Sequence, residues 1–102
     1  MKKVILNKGK GDFNLSPQAL ELYIERKPLN DFMYEDKNWF TLSEALKNDR
    51  ENKVLINVIE ELGKEANGVD TDLVIQEIED DDRYLIDYQD GKEVLCLIKD
   101  MY

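Results

Sequence analysis

The sequence predicts an α+β fold, a small antiparallel sheet of three C-terminal strands plus an N-terminal strand packed against two main helices. Three observations carry it. Leu55, Val58, Ile59, Leu62 and Ala66 recur with the period of a helix. Ser16-Pro17 and Asn52 stand where helix starts need them, and Asp90-Gly91, the residue pair of a type I′ hairpin loop, joins two β-type runs.

Taken in order, Lys3-Val4-Ile5-Leu6-Asn7 reads as a short strand that stops at Lys8-Gly9-Lys10-Gly11, where two glycines permit a tight turn. Ser16 serves as N-cap and Pro17 as first helical residue, with Leu15 placed to staple onto Leu20. The helix they start runs to about Lys27, and Pro28 ends it. The segment 29–50 is the least regular part of a single domain spanning 1–102. In it Phe32 to Glu35 reads as a short strand, and Thr41-Leu42-Ser43-Glu44 fits a capping box for one or two helical turns to Lys47. A second helix starts at Asn52 and runs to Ala66, with Asn67-Gly68 as its left-handed C-terminal cap.

Leu73 to Glu79 and Tyr84 to Tyr88 read as strands, with Asp80-Asp81-Asp82 as the polar turn between them. With Asp90 and Gly91 in the second turn, Gln89 pairs with Lys92, Tyr88 with Glu93, Ile86 with Leu95 and Tyr84 with Leu97. One hairpin face then carries Tyr84, Ile86, Tyr88, Leu95 and Leu97. The other carries Leu85, Val94, Cys96 and Ile98 beside Arg83 and Asp87. A hairpin covered on one side alternates apolar with polar, so either the helices cover one face and the irregular middle segment the other, or the second face is an interface with a partner or in a homodimer.

Composition excludes more than it assigns. The chain has 102 residues and a net charge of −9, with no histidine and one cysteine. No internal disulfide, thiolate zinc site, Ser-His or Cys-His nucleophile can be built from it. No apolar run approaches the roughly 20 residues that span a bilayer, and no signal segment opens the chain, so a cytoplasmic protein without membrane contact is expected. Residues 1–50 carry nine bases and eight acids, whereas residues 51–102 carry five bases and fifteen acids, a net −10. That half repels nucleic acid, whose affinity for proteins comes largely from Lys and Arg, and suits a basic protein partner.

Two constellations offer sites. Asp80, Asp81, Asp82 and Asp87, with Trp39 and Phe40 as aromatic anchors, make a partner-binding surface. Alternatively Lys8, Gly9, Lys10, Gly11 and Ser16 form a loop before a helix start that could hold a phosphorylated nucleotide, although the spacing is neither that of a Walker loop nor Gly-x-Gly-x-x-Gly. The acids lack EF-hand spacing, and neither a metal, a cofactor nor a catalytic residue is expected. Cys96, flanked by Leu95 and Leu97, reads as a small buried hydrophobe.

Gly11-Asp12-Phe13-Asn14-Leu15-Ser16, Glu61-Leu62-Gly63 with Ala66-Asn67-Gly68, and Tyr88-Gln89-Asp90-Gly91-Lys92-Glu93 together resemble a family of small, acidic, largely uncharacterised proteins of tailed bacteriophages and other viral genomes. The likeness covers most of the chain outside the middle segment. It departs at Asp12, where the family has a second glycine, at the turn before Asp81-Asp82, which lacks the family's proline, and in the absence of the His-rich tail of some members. The resemblance implies a phage or prophage setting and a non-enzymatic role in binding a host protein, a defence component among the candidates; it carries over no site residue.

Overall fold

Two strands, β1 (Lys2–Asn7) and β2 (Leu73–Ile78), pair antiparallel, with Ile5 opposite Ile75 and Leu6 opposite Val74. The computed structural model describes residues 1–26 and 46–98. On these, the chain is α+β with two principal helices, α1 (Pro17–Arg26) and α2 (Lys53–Leu62). A second antiparallel pair is formed by β3 (Arg83–Gln89) and β4 (Lys92–Ile98). The expected strand at Phe32 to Glu35, the capping box at Thr41 to Glu44, and Trp39 and Phe40 lie outside the described residues. Leu46 and Lys47, where the helical turns were expected to finish, are helical.

The four expected strands are present but divide into two sheets of two, β1-β2 and β3-β4, stacked as separate layers. The reason lies in β1, whose Val4, Ile5 and Leu6 are all fully buried. A strand apolar on both faces must be covered on both. Ile5, with Leu73 and Ile75 of β2, packs into the helical core of Leu20, Tyr23, Leu55 and Ile59. Val4 and Leu6, with Val74 and Ile78, face the other way onto Tyr84, Ile86 and Leu95 of the hairpin. Among the described residues the inner face of the hairpin is therefore covered by β1-β2 and not by the helices.

Local signals act as the sequence indicates. Ser16 Oγ accepts from the Ala19 amide at 3.1 Å, and Asn52 Oδ1 accepts from the Leu55 amide at 3.0 Å, so both helices start on side-chain caps. Leu15 and Leu20 share the helical core. Asp90 and Gly91 take φ of 54° and 80°, the two left-handed residues of a type I′ turn, and the hairpin register matches the expected pairs throughout. The end of α2 differs. Gly63, at φ 60°, caps it with its amide on Ile59 O, and residues Gly63–Ala66 continue as a 3-10 helix. Asn67 is extended, its side-chain oxygen accepting from the Leu73 amide at 2.8 Å, so the expected cap at Asn67-Gly68 is a strand-like crossing that pairs with Leu15.

The Asn52 side chain has two roles, since its Nδ2 also donates to the hydroxyl of the fully buried Tyr23 at 3.0 Å and so ties α2 to α1. Asn52→Ala removes the cap and that link together. A loss of about 1–2 kcal/mol is expected, read as a lower midpoint in urea at unchanged slope.

Candidate functional site

The buried polar centre of the molecule lies at the free edge of β1. Paired to β2 on one side, β1 turns the Ile5 amide, the Ile5 carbonyl and the Asn7 amide to the other. Arg50 satisfies the first two: its carbonyl accepts from Ile5 at 2.9 Å and its guanidinium donates to Ile5 O at 3.0 Å. Glu93 of β4 satisfies the third, accepting from Asn7 at 2.8 Å. The two side chains then bond each other in bidentate fashion, at 2.5 and 2.9 Å, with only 9% and 4% of their surface exposed. Arg50 also donates to Lys47 O and lies 4.3 Å over the centre of the Phe13 ring.

Burial alone would raise the Glu93 pKa. The hydrogen bonds from Arg50 and the Asn7 amide, with the positive charges of Arg50 and Lys47, outweigh it and hold the carboxyl below its ordinary value of 4.5. None of Asn7, Arg50 and Glu93 was among the candidate site residues that the sequence offered. A signal existed for Glu93: the hairpin register sets it opposite Tyr88, a carboxylate on the face that carries Ile86 and Leu95.

The Lys8-Gly9-Lys10-Gly11 loop is occupied from within. The amides of Lys8, Gly9 and Gly11 donate to Asp72 O, Asn7 Oδ1 and Asp70 O at 2.7 to 2.9 Å. A Cβ on Gly9 would stand 2.5 Å from Asp70 O, so these glycines are there to let the loop seat against residues 69–72. Lys8 Nζ donates to Glu93 O, and Ser16 Oγ is used by Ala19 and by Glu65 O. Three of the four backbone amides of the loop proposed to cradle a phosphate are thus engaged in the loop's own packing.

The acidic residues separate into two places. Asp80 and Asp81 are exposed on the β2–β3 turn. Asp80 meets the N-terminal ammonium at 3.3 Å, in the open. Asp82 shapes the turn, accepting from the Glu79 amide at 3.2 Å and offering its carbonyl to Lys2. Asp87 is further along β3, its carboxylate accepting from the Tyr88 amide at 2.8 Å. The turn residue Asp82 and the extended stretch from Arg83 to Asp87, about 13 Å, part Asp81 from Asp87, so they do not form one cluster. Among the described residues no three His, Cys, Asp or Glu side chains converge on a point where a metal could sit.

Between these acids lies the outer face of the hairpin. Leu85 and Ile98, on adjacent strands and the same face, are each 47% exposed, and Val94 and Cys96 beside them are half-buried. Leu85 and Ile98 also border an open groove of about 710 Å³ whose far wall is Lys47 to Glu51. Tyr84 lines it from the inner face, its pKa pushed up to about 12 by burial and then by its hydrogen bond to Glu51, at 2.6 Å. No described helix is long and apolar enough to cross a membrane. Comparison with known protein families, curated proteins and solved structures finds no match for the chain.

The buried ion pair sets a stability signature. Arg50→Met leaves Glu93 charged and buried, with an expected cost of about 3–5 kcal/mol in urea unfolding at pH 7. Because the folded pKa of Glu93 is depressed, the stability its charge contributes is complete above its ordinary value of 4.5 and is lost as pH falls through the folded value. Urea titrations from pH 7 to pH 3 should show wild type well above Glu93→Gln at neutral pH and the two converging in acid; a gap that stays constant would contradict the assignment.

Proposed function

We propose that the chain is a non-enzymatic binding module that docks the outer face of its β3-β4 hairpin onto a basic protein. The observation that carries this reading is the pairing of half-exposed Leu85 and Ile98 with the exposed Asp80-Asp81 turn at the same end of the hairpin. An apolar centre with a charged rim is the anatomy of a protein interface. A partner that fits it carries an apolar patch bordered by Lys and Arg, whose charge also draws it toward a chain of net −9. The resemblance to viral proteins directs the search to bacterial host proteins, defence components included.

Asp80 and Asp81 can be changed without touching the fold's interior, since both side chains are exposed and the turn is held by Asp82. The test is affinity capture from bacterial lysate with wild type and with Asp80→Asn/Asp81→Asn, followed by binding kinetics on whatever wild type alone retains. Association of that protein should slow by about three- to tenfold in the double variant, and the difference should shrink as salt rises. Equal capture by both proteins would remove the acidic rim from the interface.

A further inference from the structure

Among the described residues the outer edge of β3 pairs with no other strand. In a two-residue hairpin the pair flanking the loop, Gln89 and Lys92, exchanges hydrogen bonds, and pairs alternate from there. Arg83, Leu85, Asp87 and Gln89 therefore turn their backbone groups to β4, while Tyr84, Ile86 and Tyr88 turn theirs outward. The Tyr88 amide agrees, since it donates to the Asp87 carboxylate and not to β4. Among the described residues no backbone group from another segment bonds to Tyr84 or Ile86 on this side. The groove of about 710 Å³ runs beside the same stretch, from Tyr84 to Ile86, and leaves the edge accessible.

We propose that this edge is where a second copy of the chain docks, β3 pairing antiparallel with its counterpart about a two-fold axis at Leu85. Strands related by such an axis oppose residues of the same face, so the register must be centred on a residue. Centring on Asp87 or Arg83 sets like charges together. Centring on Ile86 requires the Tyr88 amide, which Asp87 already holds, for its outer pairs. Centring on Leu85 places Arg83 opposite Asp87 of the partner subunit twice, by symmetry, and Leu85 opposite Leu85 of the partner subunit between them. Tyr84 then faces Ile86 of the partner subunit, and these two pairs supply about four backbone hydrogen bonds from groups that no other described backbone segment engages. The charge pattern of β3 is thus complementary to itself in one register. The product is a four-stranded sheet whose outer face joins the two Leu85 and Ile98 patches. The pairing stands whether or not a heterologous partner uses that face.

Sedimentation equilibrium from micromolar to millimolar protein tests this, at an ionic strength of about 0.15 M, where charge repulsion between copies is screened beyond about 8 Å. Wild type should pass from the 12.0 kDa monomer toward twice that mass. Arg83→Asp and Asp87→Arg should each raise the dissociation constant about tenfold or more, and the combined charge swap should bring it back near wild type. A chain that stays monomeric throughout the series overturns the proposal, as does a dimer indifferent to the single changes or not recovered by the double. Circular dichroism on each variant confirms that the hairpin is intact. Independently, Leu85→Cys in a Cys96→Ser background, needed because Cys96 is the cross-strand neighbour of Leu85 in its own hairpin, should oxidise to a dimer linked between the two residues at position 85. Absence of that link at concentrations where the wild type is dimeric overturns the register.

Discussion

The structure depends on how the outer edge of β1 is closed. A two-stranded sheet has two open edges, and an open edge buried between layers would leave amides and carbonyls without partners, each at a cost of about 1–3 kcal/mol. Among the described residues no third strand does the closing. Arg50 and Glu93, from a turn and from the other sheet, supply one carbonyl, one guanidinium and one carboxylate in the positions a strand would supply them. Their mutual ion pair neutralises the charge that this substitution brings into the interior. Because Glu93 belongs to β4, the same contact that closes β1 also fixes where the hairpin sits. Lys8 adds a second tie from β1's loop to Glu93 O.

That arrangement explains the layers. With its edge closed by side chains, β1 does not continue into β3 or β4 as one sheet, and its Val4, Ile5 and Leu6 are free to face helices on one side and a hairpin on the other. Exposed ion pairs such as Lys3 with Glu60 and Arg26 with Glu61 contribute little by comparison, since solvent already stabilises both members. The β3 edge is the counterpart of the β1 edge: among the described residues one is closed by Arg50 and Glu93, and on the other the Asp87 carboxylate holds the Tyr88 amide.

What the sequence made legible was local. Asp90-Gly91 specifies a two-residue loop, and a loop of fixed length sets every pair of the hairpin after it, which is why Gln89 with Lys92 through Tyr84 with Leu97 are found as expected. Asn52 and Ser16 were readable because a cap acts within three residues. The end of α2 was misplaced because two glycines, Gly63 and Gly68, offered competing stops; the first takes the positive φ, while the second lies within backbone contact of Asn14. The division into two sheets was not legible, since it rests on Arg50 and Glu93, 43 residues apart in the chain. The packing role of the Lys8–Gly11 loop was hidden for a related reason: glycines that admit a ligand and glycines that admit a neighbouring loop look alike until residues 69–72 are placed. The acidic residues were legible as a surface, and only the fold separates Asp80 and Asp81 at one end of β3 from Asp87 further along.

Amide hydrogen exchange by NMR on a dilute sample distinguishes the two edges directly. The Ile5 and Asn7 amides, which turn away from β2, should be protected to the same degree as the fully buried core, because Arg50 O and Glu93 hold them. The Tyr84 and Ile86 amides should exchange faster by orders of magnitude. Exchange at Ile5 and Asn7 as fast as at Tyr84 and Ile86 would mean that Arg50 and Glu93 do not close the outer edge of β1.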